Sequence, residues 1–249
     1  MKISNDISKF RLLDQFRASR IEVTIKKEKI IMGLITLTDP RSPISEAYRA
    51  LRTNLSFSSL DRPLRTLVVT SAAPDEGKSE TVANLAVTIA QGGRKTILVD
   101  CDLRRPSLHT LLGLNREPGL TNLVLDEGGH PSLQQTEVEG LAFLASGPLP
   151  PNPADMLGSK RMDQIIADLI GTADVVLFDA PPVIAVTDAT VLGSKADGVL
   201  MVISAGKTRR DHAEKAKELL EKANVRIIGA ALTNAPKDSG IGSYYGSQN

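Results

Sequence analysis

The chain contains very little cysteine and few aromatic residues, and it has no tryptophan. A single cysteine, Cys101, excludes a disulfide framework and any zinc or iron–sulfur site built only from cysteines of this chain. Aromatic residues account for 3% of the sequence, so a surface that stacks on nucleic-acid bases is not expected. Lys and Arg number 30 against 29 Asp and Glu, and this balance gives no electrostatic reason to expect a nucleic-acid partner.

Long apolar runs are also missing. Stretches such as residues 30–37 and 199–203 fall far short of the roughly 20 residues that a membrane-spanning helix needs. The first residues are charged and mixed, without the apolar core of a secretory signal peptide. We therefore expect a cytoplasmic protein that does not insert into a membrane directly and that reaches one only through a partner.

The clearest chemical signal lies in residues 66–79, TLVVTSAAPDEGKS. This stretch predicts a short apolar strand, a tight loop and a helix that opens at Gly77-Lys78-Ser79. Backbone N–H groups at such a helix start, together with the helix dipole, bind phosphate groups. Lys78 would reach the β- and γ-phosphates, and the Ser79 hydroxyl would bind Mg²⁺. Ala72 replaces the first glycine of the usual phosphate-loop motif, so the match is imperfect.

Acidic residues follow two other predicted strands. Asp100 and Asp102 come after the strand at 95–99, and Asp179 comes after the strand at 174–178. At the carboxyl edge of a parallel sheet these side chains face the ligand crevice, where they suit metal and proton chemistry. Asp179 fits the Walker B position, opposite the phosphate loop. One of Asp100 and Asp102 could equally cap a helix or form a turn.

Strands and helices alternate along the remaining chain. This alternation predicts an α/β fold with a mostly parallel sheet flanked by helices. Further strands are expected at 141–145, 198–204 and 225–233, and helices at 79–91, 159–170 and 208–223.

Three polar residues near the predicted strand ends have two open interpretations each. Arg104 and Arg105 could recognise phosphate or form an ion pair with the neighbouring aspartates. Asn234, beyond the last predicted strand, could hydrogen-bond a purine base or form a turn.

Residues 45–56 have the apolar spacing of a helix, and Pro43 suits its start. Glu46, Arg49 and Arg52 recur at every third position of this segment. They predict either a solvated face with a local Glu–Arg pair, worth about 0.2–0.5 kcal/mol, or a row of charges presented to another subunit.

The two ends of the chain differ from its middle. We expect residues 1–32 to be a disordered or loosely helical extension, or else the start of the protein to lie at Met32. Residues 237–249 are rich in Gly and Ser and are expected to be mobile. Tyr244 and Tyr245 in this tail have no packing rationale, which suggests a modification site or a binding motif.

Several of these segments together resemble the bacterial tyrosine kinases of capsule and exopolysaccharide assembly. The resemblance runs from about Thr38 to the end of the chain, and the combination of segments is highly specific although no single one is. The segments that carry it are 46–54 (EAYRALRTN), the phosphate loop with Pro74 and Gly77-Lys78-Ser79, 100–106 (DCDLRRP), 147–153 (GPLPPNP) and 179–182 (DAPP).

The resemblance implies a P-loop NTPase fold with a deviant Walker A motif, like that of MinD and ParA proteins, over residues 33–236. The activity implied is an ATP- and Mg²⁺-dependent tyrosine kinase that phosphorylates Tyr244 and Tyr245 in trans and regulates polysaccharide synthesis and export. Its partners would be further copies in a ring and the cytoplasmic tail of a membrane adaptor, which would hold it at the inner face of the membrane. The subunit-contact helix would be 43–58, through Glu46, Arg49 and Arg52.

The resemblance also implies roles for the site residues. Lys78 would stabilise the transferred phosphoryl group, and Asp100 would accept the tyrosine proton. The metal would be held, directly or through water, by Ser79, Asp102 and Asp179. The nucleotide would be bound by Asn234 and by the loop residues Ala73, Pro74, Asp75, Glu76, Gly77, Lys78, Ser79 and Glu80.

Three features depart from the family. Glu80 stands where a hydroxyl residue often contacts the α-phosphate, and a carboxylate there suits the helix dipole but not a nearby triphosphate unless it points away. Asp75 stands where many members have glycine. The tail has two tyrosines where the family usually has several, so sparse phosphorylation is expected.

Two other functions are compatible with the same motifs. Non-kinase ATPases of the MinD and ParA type share the fold, but they usually carry a signature lysine at the position of Ala73. The proline-rich segment 147–153 also favours the kinase, and the iron–sulfur carriers of this fold would need a cysteine pair that the chain lacks. A nucleotide-binding scaffold without phosphotransfer is the second alternative, supported by Glu80 and the short tyrosine cluster.

Overall fold

The computed structural model describes residues 33–57, 63–126 and 128–235. The strands are β1 (Thr66–Ser71), β2 (Thr96–Asp100), β3 (Gln134–Gln135), β4 (Leu141–Leu144), β5 (Val175–Asp179), β6 (Gly198–Ser204) and β7 (Ile227–Thr233). The helices are α1 (Ile35–Thr38), α2 (Pro43–Phe57), α3 (Lys78–Gln91), α4 (Leu108–Leu111), α5 (Leu120–Leu125), α6 (Pro153–Gly158), α7 (Lys160–Thr172), α8 (Asp188–Gly193) and α9 (Arg210–Lys222).

Within the described residues, the strands form one seven-stranded sheet in the order β3-β4-β2-β5-β1-β6-β7. Neighbouring strands are parallel except β3 and β4, which are antiparallel. The predicted α/β fold with a mostly parallel sheet is therefore confirmed.

The central strands are apolar almost throughout because helices cover both faces of the sheet. Every residue of β1, β2 and β5 is buried. Alternate side chains enter opposite core layers: Leu67 and Leu98 pack with α3, whereas Val68 and Val99 pack in the layer that contains α7. This two-sided burial fixes the register of the central strands and hence the position of the loops that follow them.

The carboxyl ends of three strands meet in the middle of the sheet. Strand β5 lies between β2 and β1, with Asp179 aligned with Asp100 on one side and Val69 on the other. The loops after β1, β2 and β5 therefore emerge side by side. In an open parallel sheet this edge is the usual ligand crevice.

Helix α3, which follows the phosphate loop, is covered on its outer side by α1 and α2. Residues 81–90 of α3 are all buried. Asn84 is fully buried and accepts hydrogen bonds from the backbone N–H (3.1 Å) and the hydroxyl (2.8 Å) of Thr36 in α1. Arg52 of α2 donates to the carbonyl of Thr88 at 2.7 Å. These polar contacts join the outer helices to the helix that begins at the phosphate loop.

Helices such as α1, α6 and α8 are not predicted by the sequence patterns above, because each is too short to display a helical period. Pro153 opens α6 at its first position, so the predicted proline-rich connection ends where this helix begins. Helix α2 spans Pro43–Phe57. The predicted extension 1–32, residue 58 of the predicted contact helix and the tail 237–249 lie outside the described residues.

Among the residues that the structure describes, no helix is both long enough and apolar enough to cross a membrane.

Replacing Asn84 tests whether the polar contact between α1 and α3 stabilises this layer. Asn84→Leu keeps the side-chain size but removes the amide oxygen that the Thr36 N–H and the Thr36 hydroxyl contact, and the amide N–H₂ that donates to the Glu80 carbonyl. We expect the free energy of unfolding in urea to fall by about 2–4 kcal/mol. Asn54→Leu, on the exposed face of α2, is the control and should change it by less than about 0.5 kcal/mol. Equal effects of the two substitutions would contradict the assignment.

Candidate active site

The phosphate loop joins β1 to α3, and its shape depends on two residues in the left-handed region. Gly77 has a φ of 88° and Asp75 a φ of 57°. Aspartate is one of the few residues besides glycine that tolerate this region, which explains how it replaces the glycine common in similar kinases. Of the predicted nucleotide-binding residues in the loop, Glu76 is buried, Ala73, Gly77, Lys78 and Ser79 are half-buried, and Pro74, Asp75 and Glu80 are exposed.

Lys78 lies between two of the three predicted carboxylates. Its ammonium is 2.8 Å from Asp102 Oδ2 and 3.3 Å from Asp179 Oδ1. Burial alone would lower the pKa of Lys78, but the carboxylates of Asp179 and Asp102 outweigh it and raise that pKa. The lysine is therefore held in its charged form at the centre of the site.

Ser79 and Asp179 also meet directly. The Ser79 hydroxyl donates to Asp179 Oδ2, and the Lys78 ammonium is 3.1 Å from the Ser79 hydroxyl oxygen. The Asp179 side chain is fully buried, and burial raises its pKa while Lys78 and Ser79 oppose the rise. Asp179, which the sequence predicts as the Walker B residue, thus contacts the first turn of α3 from the end of β5.

Asp100 lies beside Asp179 on the neighbouring strand and is fully buried. Burial, and next the charge of Asp179, raise the pKa of Asp100 to about 8. Its Oδ2 accepts the backbone N–H groups of Ser107 and Leu108 at 3.1 Å each, and its Oδ1 accepts that of Asp102 at 3.3 Å. Asp100 therefore holds the start of α4 without being its N-cap residue, which is Ser107, and the local turn contact considered for one of the two aspartates is made by Asp102.

The loop after β2 is held by one contact within the loop and one contact to α8. Asp102 Oδ1 accepts the backbone N–H of Arg105 at 3.0 Å. Arg104 makes a two-pronged ion pair with Asp188, at 2.9 and 3.0 Å, and the Asp188 side chain is fully buried. The suggested ion pair of Arg104 with Asp100 and Asp102 is therefore wrong, because the guanidinium reaches the first turn of α8 instead.

Glu80 lies on the exposed side of the first turn of α3, and its charge affects the side chain of Tyr48 in α2. Burial of the Tyr48 phenol raises its pKa, and the Glu80 charge raises it further. Asn234 has a left-handed φ of 53°, and its side-chain amide donates to the Ser204 hydroxyl at 2.9 Å. This contact fits the turn interpretation of Asn234 and keeps its side chain near the end of β6.

The charged residues of α2 divide into two kinds. Arg49 pairs with Glu46, which confirms the predicted local pair. Arg52 instead contacts the Thr88 carbonyl of its own chain. The predicted phosphorylation sites, Tyr244 and Tyr245, lie outside the described residues.

The charge balance of the site fits a bound Mg²⁺ ion. Asp102 and Asp179 share one ammonium, that of Lys78, so the pair carries one uncompensated negative charge when both are ionised. No cage of three or more His, Cys, Asp or Glu side chains is found in the described part of the chain. Mg²⁺ does not require one, because it commonly binds through one or two carboxylates together with substrate phosphates and water.

Comparison with known proteins places these features in a family. The family model described as ParA, NUBPL iron-transfer P-loop NTPase, matches residues 64–234. The tyrosine-protein kinase YwqD of Bacillus subtilis is 44% identical over 219 residues, which cover 87% of this chain and 92% of that protein. The chain belongs to the bacterial tyrosine kinases.

Solved structures support this membership. The crystal structure of the chimerical protein CapA2B2 aligns with a TM-score of 0.79 at 38% identity and covers 82% of this chain and 90% of that one. The kinase domain of the Escherichia coli tyrosine kinase ETK aligns with a TM-score of 0.79 at 32% identity, over 84% and 82% of the two chains. The P-loop fold with a deviant Walker A motif is confirmed for this kinase.

Asp188 is the site-supporting residue that the sequence patterns missed. It belongs to no phosphate or metal motif, and its partner Arg104 lies 84 positions earlier in the chain. The available signal was local: an acidic residue in the first turn of a short helix that follows the Asp-Ala-Pro-Pro segment. Its partner could not be identified without the packing of α8 against the β2 loop.

The raised pKa of Asp100 predicts a pH dependence of stability in the nucleotide-free kinase. Between pH 7 and 8.5 the folded state loses a proton that the unfolded chain, with an ordinary aspartate pKa, has already lost. Stability should therefore fall by about 1 kcal/mol over this range.

Urea unfolding at fixed ionic strength measures this change. Asp100→Asn should flatten the slope, whereas Asp168→Asn at an exposed site of α7 should keep it. A slope in Asp100→Asn equal to that of the unmodified kinase would refute the assignment.

Proposed function

We propose that this kinase uses ATP and Mg²⁺ to phosphorylate Tyr244 and Tyr245 of neighbouring copies and thereby regulates polysaccharide synthesis and export. The observation that supports it most is the contact of Lys78 with Asp102 and Asp179 beside the Ser79 hydroxyl. This cluster combines the phosphate-binding lysine with the metal-binding oxygens that phosphoryl transfer needs.

When bound, ATP supplies the phosphoryl group and Mg²⁺ neutralises its charge. Lys78, which contacts Asp102 and Asp179 in the structure, would bind the phosphate oxygens. Ser79, Asp102 and Asp179 would hold the metal directly or through water. Catalysis of this kind depends mainly on positioning and electrostatics.

Asp100 is the proposed acceptor of the tyrosine proton. A carboxylate offers roughly four acceptor positions, and in Asp100 three of them accept backbone N–H groups. One position is left for the tyrosine hydroxyl. A pKa of about 8 also suits a base that works near neutral pH.

The proposed partners are further copies of the kinase and a membrane adaptor. The half-buried Glu46–Arg49 pair on α2 supports a subunit contact, because both side chains remain 30–40% exposed. The CapA2B2 structure is of a chimerical protein, and the tyrosine-protein kinase Wzc of Salmonella typhimurium is 32% identical but so long that this chain covers only 28% of it. The chimera and the additional length of Wzc both support a kinase domain that works together with a further polypeptide segment. For this chain we propose that the segment is the cytoplasmic tail of an adaptor.

Phosphosite mapping after incubation with ATP and Mg²⁺ tests the proposed activity. We expect phosphate on Tyr244 and Tyr245, with an increase when the adaptor tail is added. Lys78→Met removes the charge that stabilises the transferred group and should reduce phosphorylation by about 100-fold or more. Lys217→Met, on the exposed face of α9, is the matched control and should retain activity.

Two outcomes would contradict the kinase proposal. ATP hydrolysis without phosphotyrosine, even with the adaptor tail present, would indicate an ATPase of the MinD and ParA type. ATP binding without turnover would indicate a scaffold.

Light scattering tests the assembly. Removing the α2 pair with Glu46→Ala and Arg49→Ala should lower the mass of the oligomer, because the charges that face the neighbouring subunit are lost. The matched control removes the exposed pair of α9 with Arg210→Ala and Glu214→Ala, and it should leave the mass unchanged. An unchanged mass in the α2 variant would remove the proposed role of this pair.

A further inference from the structure

The phosphate loop contains a buried acidic side chain, although this loop has to receive a polyanion. Glu76 is 2% exposed, and both of its carboxylate oxygens have partners. Oε2 accepts the backbone N–H of Ala73 at 3.1 Å, inside the loop. Oε1 accepts the hydroxyl of Thr208 at 2.7 Å, from outside the loop. The carboxylate therefore links the first half of the loop to a distant part of the chain.

Thr208 lies between β6 and α9, and its hydroxyl is oriented by a second contact. The hydroxyl oxygen accepts the backbone N–H of Ser204 at 2.8 Å. A threonine hydroxyl has one hydrogen to donate, and here that hydrogen goes to Glu76. The end of β6 thus fixes the position from which the Glu76 carboxylate is held.

Two more contacts hold the same part of the loop. The Thr233 hydroxyl, at the end of β7, donates to the Glu76 carbonyl at 3.0 Å. The Lys207 ammonium donates to the carbonyl of Asp75, the residue with the left-handed backbone. The ends of β6 and β7, and the loop that follows β6, therefore hold the phosphate loop through the Glu76 side chain and through the loop backbone.

This bracing matters because a loop with left-handed residues has several accessible shapes. A binding site that must first be ordered binds its ligand more weakly, since ordering opposes binding. A carboxylate with two fixed donors orders the loop before the ligand arrives. Its negative charge disfavours a nearby phosphate, so its presence is explained by shape rather than by attraction.

We propose that Thr208 is a positioning residue for ATP, which acts by holding the Glu76 carboxylate and thereby the phosphate loop in its binding-ready shape. This inference rests on the proposed ATP site. It assigns to Glu76 a side-chain role inside the loop in place of a direct contact with nucleotide.

Thr208→Val removes the hydroxyl and keeps the size of the side chain. We expect the Kd of a fluorescent ATP analogue with Mg²⁺, and the KM for ATP, to rise about tenfold, the effect of losing one hydrogen bond to a charged group. The kcat at saturating ATP should stay within about twofold, since the transferred group still meets Lys78. Thr208→Ser restores the hydroxyl and should restore the Kd.

Thr96→Val is the matched control. Thr96 is as buried as Glu76, at 1% against 2% exposed, and donates its hydroxyl to the Arg94 carbonyl at 2.9 Å, but it lies at the opposite end of the sheet. It should lower the melting temperature without changing the Kd for ATP. An increase of Kd in Thr96→Val equal to that in Thr208→Val would overturn the positioning role.

A double-mutant cycle tests whether Thr208 acts through Glu76. In a Glu76→Ala background, Thr208→Val should cause no further rise in Kd, because the group it holds is gone. Independent, additive effects would overturn the inference. If the unmodified kinase itself fails to bind the ATP analogue, the proposed ATP site fails; if it binds and Thr208→Val binds equally well, only the role of Thr208 fails.

Discussion

Two fully buried carboxylates, Asp100 and Asp179, lie side by side at the ends of adjacent parallel strands. The rest of the site compensates for the repulsion between them. Like charges in a buried position repel each other, so the pair needs a nearby cation, a shared proton or both. Lys78 supplies the cation from α3, and the backbone N–H groups at the start of α4 hold Asp100. The phosphate loop, the Walker B strand and the β2 loop therefore depend on one another electrostatically.

The strands and ion pairs that depend on neighbouring residues alone are visible in the sequence. The apolar runs of β1, β2 and β5 identified strands because two-sided burial leaves few other residues possible, and their terminal aspartates were visible as breaks in those runs. The pair of Glu46 and Arg49 was equally visible, since side chains three positions apart on a helix lie next to each other on its surface.

The rest depended on contacts between distant segments. Arg104 had nearby aspartates as obvious partners, yet it reaches Asp188, because α8 packs against the β2 loop. Glu76 was predicted only as one of the nucleotide-binding residues of the loop, and nothing near it in the chain indicates Thr208, which lies 132 positions away. Such partners follow from the order of strands in the sheet, which spacing along the sequence does not determine.

The burial of residues 81–90 of α3 limits how far this helix can move when a ligand binds at its first turn. A helix packed between the sheet and the outer helices tilts or slides less easily than an exposed one, because protein interiors are packed as densely as crystals. Little of the binding energy can be absorbed by movement of this helix. We therefore expect a displacement at the phosphate loop to shift the far end of α3 as well, where the Thr88 carbonyl accepts a hydrogen bond from the Arg52 guanidinium of α2.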